Sequence, residues 1–106
     1  MAEPTMVGHM VYFTLHDNSD MAKDKLIEAC HKYLKGHPGT VFYAAGPRVS
    51  DLIREVNDQS FDVALQLVFE DRHAHDTYQT HERHVQFIAE NKANWKQARV
   101  FDAYVG

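Results

Sequence analysis

The sequence predicts an α+β domain of the ferredoxin-like type, β-α-β-β-α-β, with a four-stranded antiparallel sheet and its helices on one face. Two observations carry that expectation. The first is the order in which period-two and helical patterns alternate along the 106 residues. The second is a clean alternating run, Phe61, Val63, Leu65, Leu67 and Phe69, midway along the chain. A third feature predicts what the sheet does with its other face. Large apolar groups occupy both registers of the strands, with Met10 and Tyr12 opposite Val11 and Phe13, and Ala64 and Val68 opposite the main run. A sheet with one face in water alternates more strictly. The second face is therefore expected against a second copy, as a homodimer in which two sheets face each other and enclose a cavity.

Each element follows from local chemistry. Val7, His9, Val11, Phe13 and Leu15 share one face of an opening strand. Asn18 or Ser19 offers an N-cap, and Leu26, Ile27, Cys30, Tyr33 and Leu34 recur at helical spacing until Gly36 and Pro38 end the pattern. Thr40 to Ala45 is β-branched and aromatic and stops at Gly46-Pro47. Pro47 to Ser60 is longer than a hairpin loop needs, and a weak stripe of Val49, Leu52, Ile53 and Val56 suggests a short helix over the cavity or a dimer contact. Asp71 opens a second helical region carrying Ala74 and Tyr78, which bends near His81 and resumes with Val85, Ile88 and Trp95. Ala98 to Val105 closes the chain as a strand.

Composition excludes several function classes. The net charge is −4 with no Lys/Arg cluster, which argues against nucleic acid or an anionic membrane surface as partner. No window approaches a membrane span, and the N-terminal Met1-Ala2-Glu3-Pro4-Thr5 has no signal-peptide character. The single Cys30 suits a reducing cytoplasm and sits on an apolar helical stripe, a poor place for a nucleophile.

The chemistry-bearing stretch is Tyr78-Gln79-Thr80-His81-Glu82-Arg83-His84. It brings a phenol and two imidazoles together within seven positions, and imidazole changes charge near neutral pH. Continuous helical spacing places Tyr78, His81 and Val85 on one stripe, with His84 further round. His84 suits a general base and Tyr78 a hydrogen-bond donor to a developing enolate oxygen. Asp is disfavoured within strands, so Asp102 among Val100, Phe101, Ala103 and Tyr104 asks for a reason. Fixing the His84 tautomer is one, and an ion pair with Arg99 is another. His9 either lines the same cavity or is a hydrogen-bonded core residue. Eight histidines is a high count, but His73-x-His75 points two ways on a helix and His81-x-x-His84 misses the usual zinc spacing. No metal and no organic cofactor are expected, and His16, His31, His37, His73 and His75 read as solvated surface groups.

Four segments in order give the chain a resemblance to the stress-responsive dimeric α/β-barrel (Dabb) family, over most of its length from His9 to Tyr104. They are His9-Met10-Val11-Tyr12-Phe13, Asp62 to Phe69, Tyr78-x-x-His81-x-x-His84-x-x-Phe87, and Val100-Phe101-Asp102. Glu82 stands where the family usually has Pro. The resemblance implies a dimeric barrel of two ferredoxin-like sheets. Most members have no assigned reaction, but olivetolic acid cyclase closes an aromatic ring by intramolecular aldol condensation without a cofactor. Its catalytic Tyr and His fall on Tyr78 and His84, a supporting Asp on Asp102 and a pocket His on His9. A further pocket His falls on Val63. His81 completes the candidate set as a supporting or pocket residue. The resemblance thus implies a homodimer with a small-molecule cavity, either a cofactor-independent cyclase- or lyase-type enzyme or a non-catalytic ligand-binding or stress-protective dimer. Heme-degrading and quinol monooxygenases share the barrel, but their motifs are not evident.

Overall fold

The structure is a computed structural model that describes residues 4–106; residues 1–3 of the N-terminal reading lie outside that range. The elements are β1 (Met6–Leu15), α1 (Asp20–Tyr33), β2 (Thr40–Pro47), β3 (Val63–Phe69), α2 (Arg72–Thr80), α3 (Glu82–Asn91), a 3-10 turn (Lys92–Asn94) and β4 (Trp95–Val105). They form one antiparallel sheet in the order β2-β3-β1-β4, the expected ferredoxin-like arrangement with the second helical region divided in two.

The caps explain where the helices begin. Ser19 accepts from the Ala22 amide at 3.2 Å and Asp71 from the Ala74 amide at 2.8 Å, satisfying first-turn donors. His81 divides the second helical region: its backbone is extended (φ −63°, ψ 141°), and its Nδ1 accepts from the Arg83 amide at 3.1 Å. His81 thus ends α2 and caps α3. The bend survives with Glu82 in place of the usual Pro, because an imidazole cap stabilises the second start.

Alternation sorts the strands. Val11, Phe13 and Leu15 of β1 and Val63, Leu65, Leu67 and Phe69 of β3 are buried beneath Leu26, Cys30, Leu34, Tyr78 and Phe87 of the helices. Phe61 departs from the expected run. The β3 ladder begins at Val63, and the Phe61 ring turns to the opposite face, 5.0 Å from the Tyr12 ring. Gly39 has φ +81° and lies so close to α2 that a Cβ there would sit 2.5 Å from the Ala74 Cβ. Only glycine satisfies both demands.

The outer face of the sheet is apolar and open. Tyr12 stacks edge-on with Phe61 and with Phe101 at 5.8 Å, while Phe42 and Phe101 are about half exposed. Residues 48–62 form turns and no helix, so of the two expectations for this segment, a short helix or a dimer contact, the helix is not found. Arg48 donates to the Phe61 carbonyl at 3.0 Å and Arg99 to Asp58 at 2.8 Å, so polar anchors hold the segment. Val49, Leu52, Ile53 and Val56 remain exposed: their spacing is that of a helical stripe, but the segment forms turns, so they do not share one face.

Candidate functional site

The edge position of β4 creates the site. Its helix-side residues Val100 and Tyr104 are more than half exposed, so the helices leave a cavity between themselves and this strand. The cavity measures about 450 Å³ and is walled by apolar groups such as Phe13, Phe87, Trp95 and Val100. The polar residues that line it include His9 from β1, His75, Tyr78 and Gln79 from α2, His84 from α3 and Asp102 from β4. Four of the five candidate residues therefore converge. The cavity lies on the helix side within a single chain, not between the outer sheet faces where the dimer cavity was expected. The reason is the strand register: His9 and Asp102 face each other across the β1–β4 ladder in the same register as buried Val11 and Phe13.

Asp102 has a different partner from either sequence expectation. Its carboxylate is 2.5 Å from the His9 Nδ1, and Arg99 is paired with Asp58 instead. The Asp102–His9 bond is the reason a carboxylate is tolerated in β4, whose partial exposure keeps one side of the group hydrated. Burial lowers the pKa of His9 below its ordinary value, outweighing the opposing influence of Asp102, with His75 adding to the lowering. His9 is thus a neutral imidazole at pH 7, with Nδ1–H donated to the carboxylate.

Tyr78 is the aromatic centre of the site. Its ring is 1% exposed and lies 4.6 Å from the His84 ring, 5.0 Å from Phe69 and His37, and 5.8 Å from His9. Burial pushes its phenol up, so it stays protonated and able to donate. His84 is buried beside it, and its Nδ1 has no hydrogen-bond partner. Desolvation lowers the His84 pKa against the opposing Gln79 backbone, with smaller lowering from His9, His37 and His75. A neutral imidazole with a free ring nitrogen thus lies beside a protonated phenol in an apolar wall.

Several histidines lie elsewhere than expected. His81 is not in the cavity; it is spent on capping α3. His37 is buried rather than solvated, with its Nε2 donating to the Tyr33 carbonyl at 2.7 Å and its ring against Tyr78 and His81. His75 is also largely buried and lines the cavity, its ring 5.2 Å from His9. The signal for His75 was its distance from Tyr78: three residues on a helix share a face. For His37 no local pattern exists, because the Gly36 turn that folds it inward has no periodicity. The metal expectation weighed His73 with His75 and His81 with His84, whereas the structure gathers His9, His75 and Asp102 from three elements. Cys30 is buried and its thiol is pushed up to about 12 by desolvation, which makes it inert. No described helix is long and apolar enough to cross a membrane.

Comparison with known proteins places the fold. The profile of the Stress responsive A/B Barrel Domain (Dabb) matches residues 7–105. No curated protein matches the sequence. Among solved structures, a dimeric ferredoxin-like protein from Thermobifida fusca is 16% identical with a TM-score of 0.79, covering 99% of this chain and 95% of its own. A Dabb family protein from Mesorhizobium loti is 22% identical with a TM-score of 0.76, covering 96% and 97%. A hydroxynitrile lyase from Passiflora edulis is 18% identical with a TM-score of 0.77, covering 98% and 96%. With the family profile spanning almost the whole chain and its ferredoxin-like architecture repeated in these structures, the chain belongs to the stress-responsive A/B barrel domain family.

Proposed function

We propose that the protein is a homodimer whose subunits each use the Tyr78–His84 pair for proton transfer at a carbon next to a small-molecule carbonyl, without a cofactor. The observation that carries this reading is the unpartnered Nδ1 of buried His84 beside the Tyr78 ring in an apolar cavity. His84 accepts the proton, and Tyr78 donates a hydrogen bond to the oxygen on which negative charge develops. His9, held by Asp102 and lying beside Tyr78, fixes the polar end of the ligand. A cavity of roughly 300–1,000 Å³ with few polar groups is the usual form of a small-molecule site. The shared fold with a hydroxynitrile lyase, and the resemblance of the Tyr78 to Phe87 block to a polyketide cyclase, favour lyase- or cyclase-type chemistry. Dimerisation through the outer sheet face buries the Tyr12, Phe61 and Phe101 cluster, and similar solved structures are described as dimeric.

The test is deuterium exchange at the α-carbon of a medium-chain methyl ketone in heavy water, followed by proton NMR. The native protein accelerates the exchange and His84→Ala does not. Ketone binding without accelerated exchange would make this a binding domain and refute the proton-transfer role.

A further inference from the structure

We propose that His9, His75 and Asp102 form a binding site for one divalent transition-metal ion of the zinc type. This concerns groups of the same cavity that lie beside Tyr78 and that the proton-transfer reading does not use as acid or base, and it goes beyond that reading. One ligand atom from each of the three residues lies within 4.8 Å of the others. Two imidazoles and one carboxylate are a recognised donor set for zinc, leaving a coordination position for water or a ligand.

The state of His75 carries the proposal furthest. Its Nδ1 is 3.0 Å from the Asp76 carboxylate, which Arg72 holds at 2.8 Å on the same oxygen. That arrangement leaves the Nδ1–H donating and the Nε2 with a bare lone pair. The Nε2 is buried and has no hydrogen-bond partner. An imidazole fixed by a carboxylate on one nitrogen and bare on the other is how metal-binding histidines are oriented. The same Arg72 contact neutralises Asp76, so the net charge of the ligand set comes from Asp102. Asp102, with its side chain about half exposed, gives the ion an entry path from solvent.

The fit requires modest movement. An ion about 2.0–2.2 Å from each donor needs donors spaced by roughly 3.3 Å. The His9–Asp102 pair opens from 2.5 Å as the ion replaces the proton between them, and the other separations, all within 4.8 Å, adjust to the ion.

The experiment titrates chelator-treated, dialysed protein with cobalt(II), following its ligand-field absorption, and then displaces it with zinc(II) against a chromophoric indicator. The native chain takes up one equivalent. His75→Ala weakens binding at least ~100-fold, and Asp76→Asn, which loosens only the orienting contact, weakens it about 10-fold. His75→Gln, which preserves bulk and polarity, weakens it like His75→Ala, and melting by circular dichroism verifies that both variants are folded. Exposed His73→Ala and the helix cap variant His81→Ala bind like the native chain. Absence of uptake by the native protein, native-like affinity in His75→Ala or His75→Gln, or equal loss in His73→Ala would overturn the proposal. Exchange activity in the chelator-treated protein tests the Tyr78–His84 reading separately, so either idea can fail alone.

Discussion

Tyr78→Phe and Tyr78→Ala together separate chemistry from packing. The Tyr78 ring is 1% exposed and packs on Phe69, His37 and His84. Truncation to Ala empties that volume, and a buried aromatic truncated to Ala costs about 3–5 kcal/mol. In a domain of this size each kcal/mol lowers the melting temperature by roughly 4–8 °C, so Tyr78→Ala falls by about 12 °C or more. Phe keeps all of those ring contacts and removes only the hydroxyl, so its stability stays within about 1 kcal/mol of the native chain. Its loss is chemical: removing a donor to a developing oxyanion costs about 10²–10³-fold in rate. The assays are thermal melting by circular dichroism and α-carbon exchange of the methyl ketone. A Tyr78→Phe protein that is stable and fully active would refute the role of the hydroxyl. One as unstable as Tyr78→Ala would refute the packing argument.

Stability is expected to fall on mild acidification. Burial holds the folded pKa values of His37 and His84 below 6.5, so between those values and 6.5 the unfolded chain binds more protons, and each group removes up to about 1.4 kcal/mol per pH unit as pH falls through that window. A melting temperature unchanged between pH 7 and pH 5.5 would contradict this. Light scattering after size exclusion should report twice the 12.2 kDa chain mass, and Phe101→Glu on the outer face should give monomer; a monomeric native protein would sink the dimer. Gly39→Ala combines a left-handed backbone with a Cβ 2.5 Å from that of Ala74, so it should lose more than the roughly 1–2 kcal/mol of the backbone penalty alone, measured by urea unfolding.

The fold was legible because burial imposes periodicity. Val63, Leu65, Leu67 and Phe69 alternate, and Leu26, Cys30 and Tyr33 recur at helical spacing, for the same reason that they are buried. The limits of that logic are visible in the site. Continuous helical phase places Val85 with Tyr78, yet Val85 is 55% exposed while His84 is buried, because the His81 cap resets the phase. Asp102 stood out as a carboxylate in a strand, but its partner His9 is ninety-three positions away. Only the β1–β4 register brings them together, and no local spacing encodes a register. The location of the cavity was misjudged on similar grounds. Apolar residues in both strand registers signal two buried faces but not which face also receives the polar groups of the helices.

The account turns on His84 being a buried, neutral imidazole within reach of a carbonyl ligand. Long-range proton–nitrogen NMR of the imidazole rings reports this directly, with each histidine assigned by single substitution. The account predicts that His84 titrates below 6.5 and that its ring nitrogens shift when a medium-chain methyl ketone fills the cavity, while exposed His73 does not respond to the ketone. A His84 that titrates at or above 6.5 and is indifferent to the ketone would contradict it.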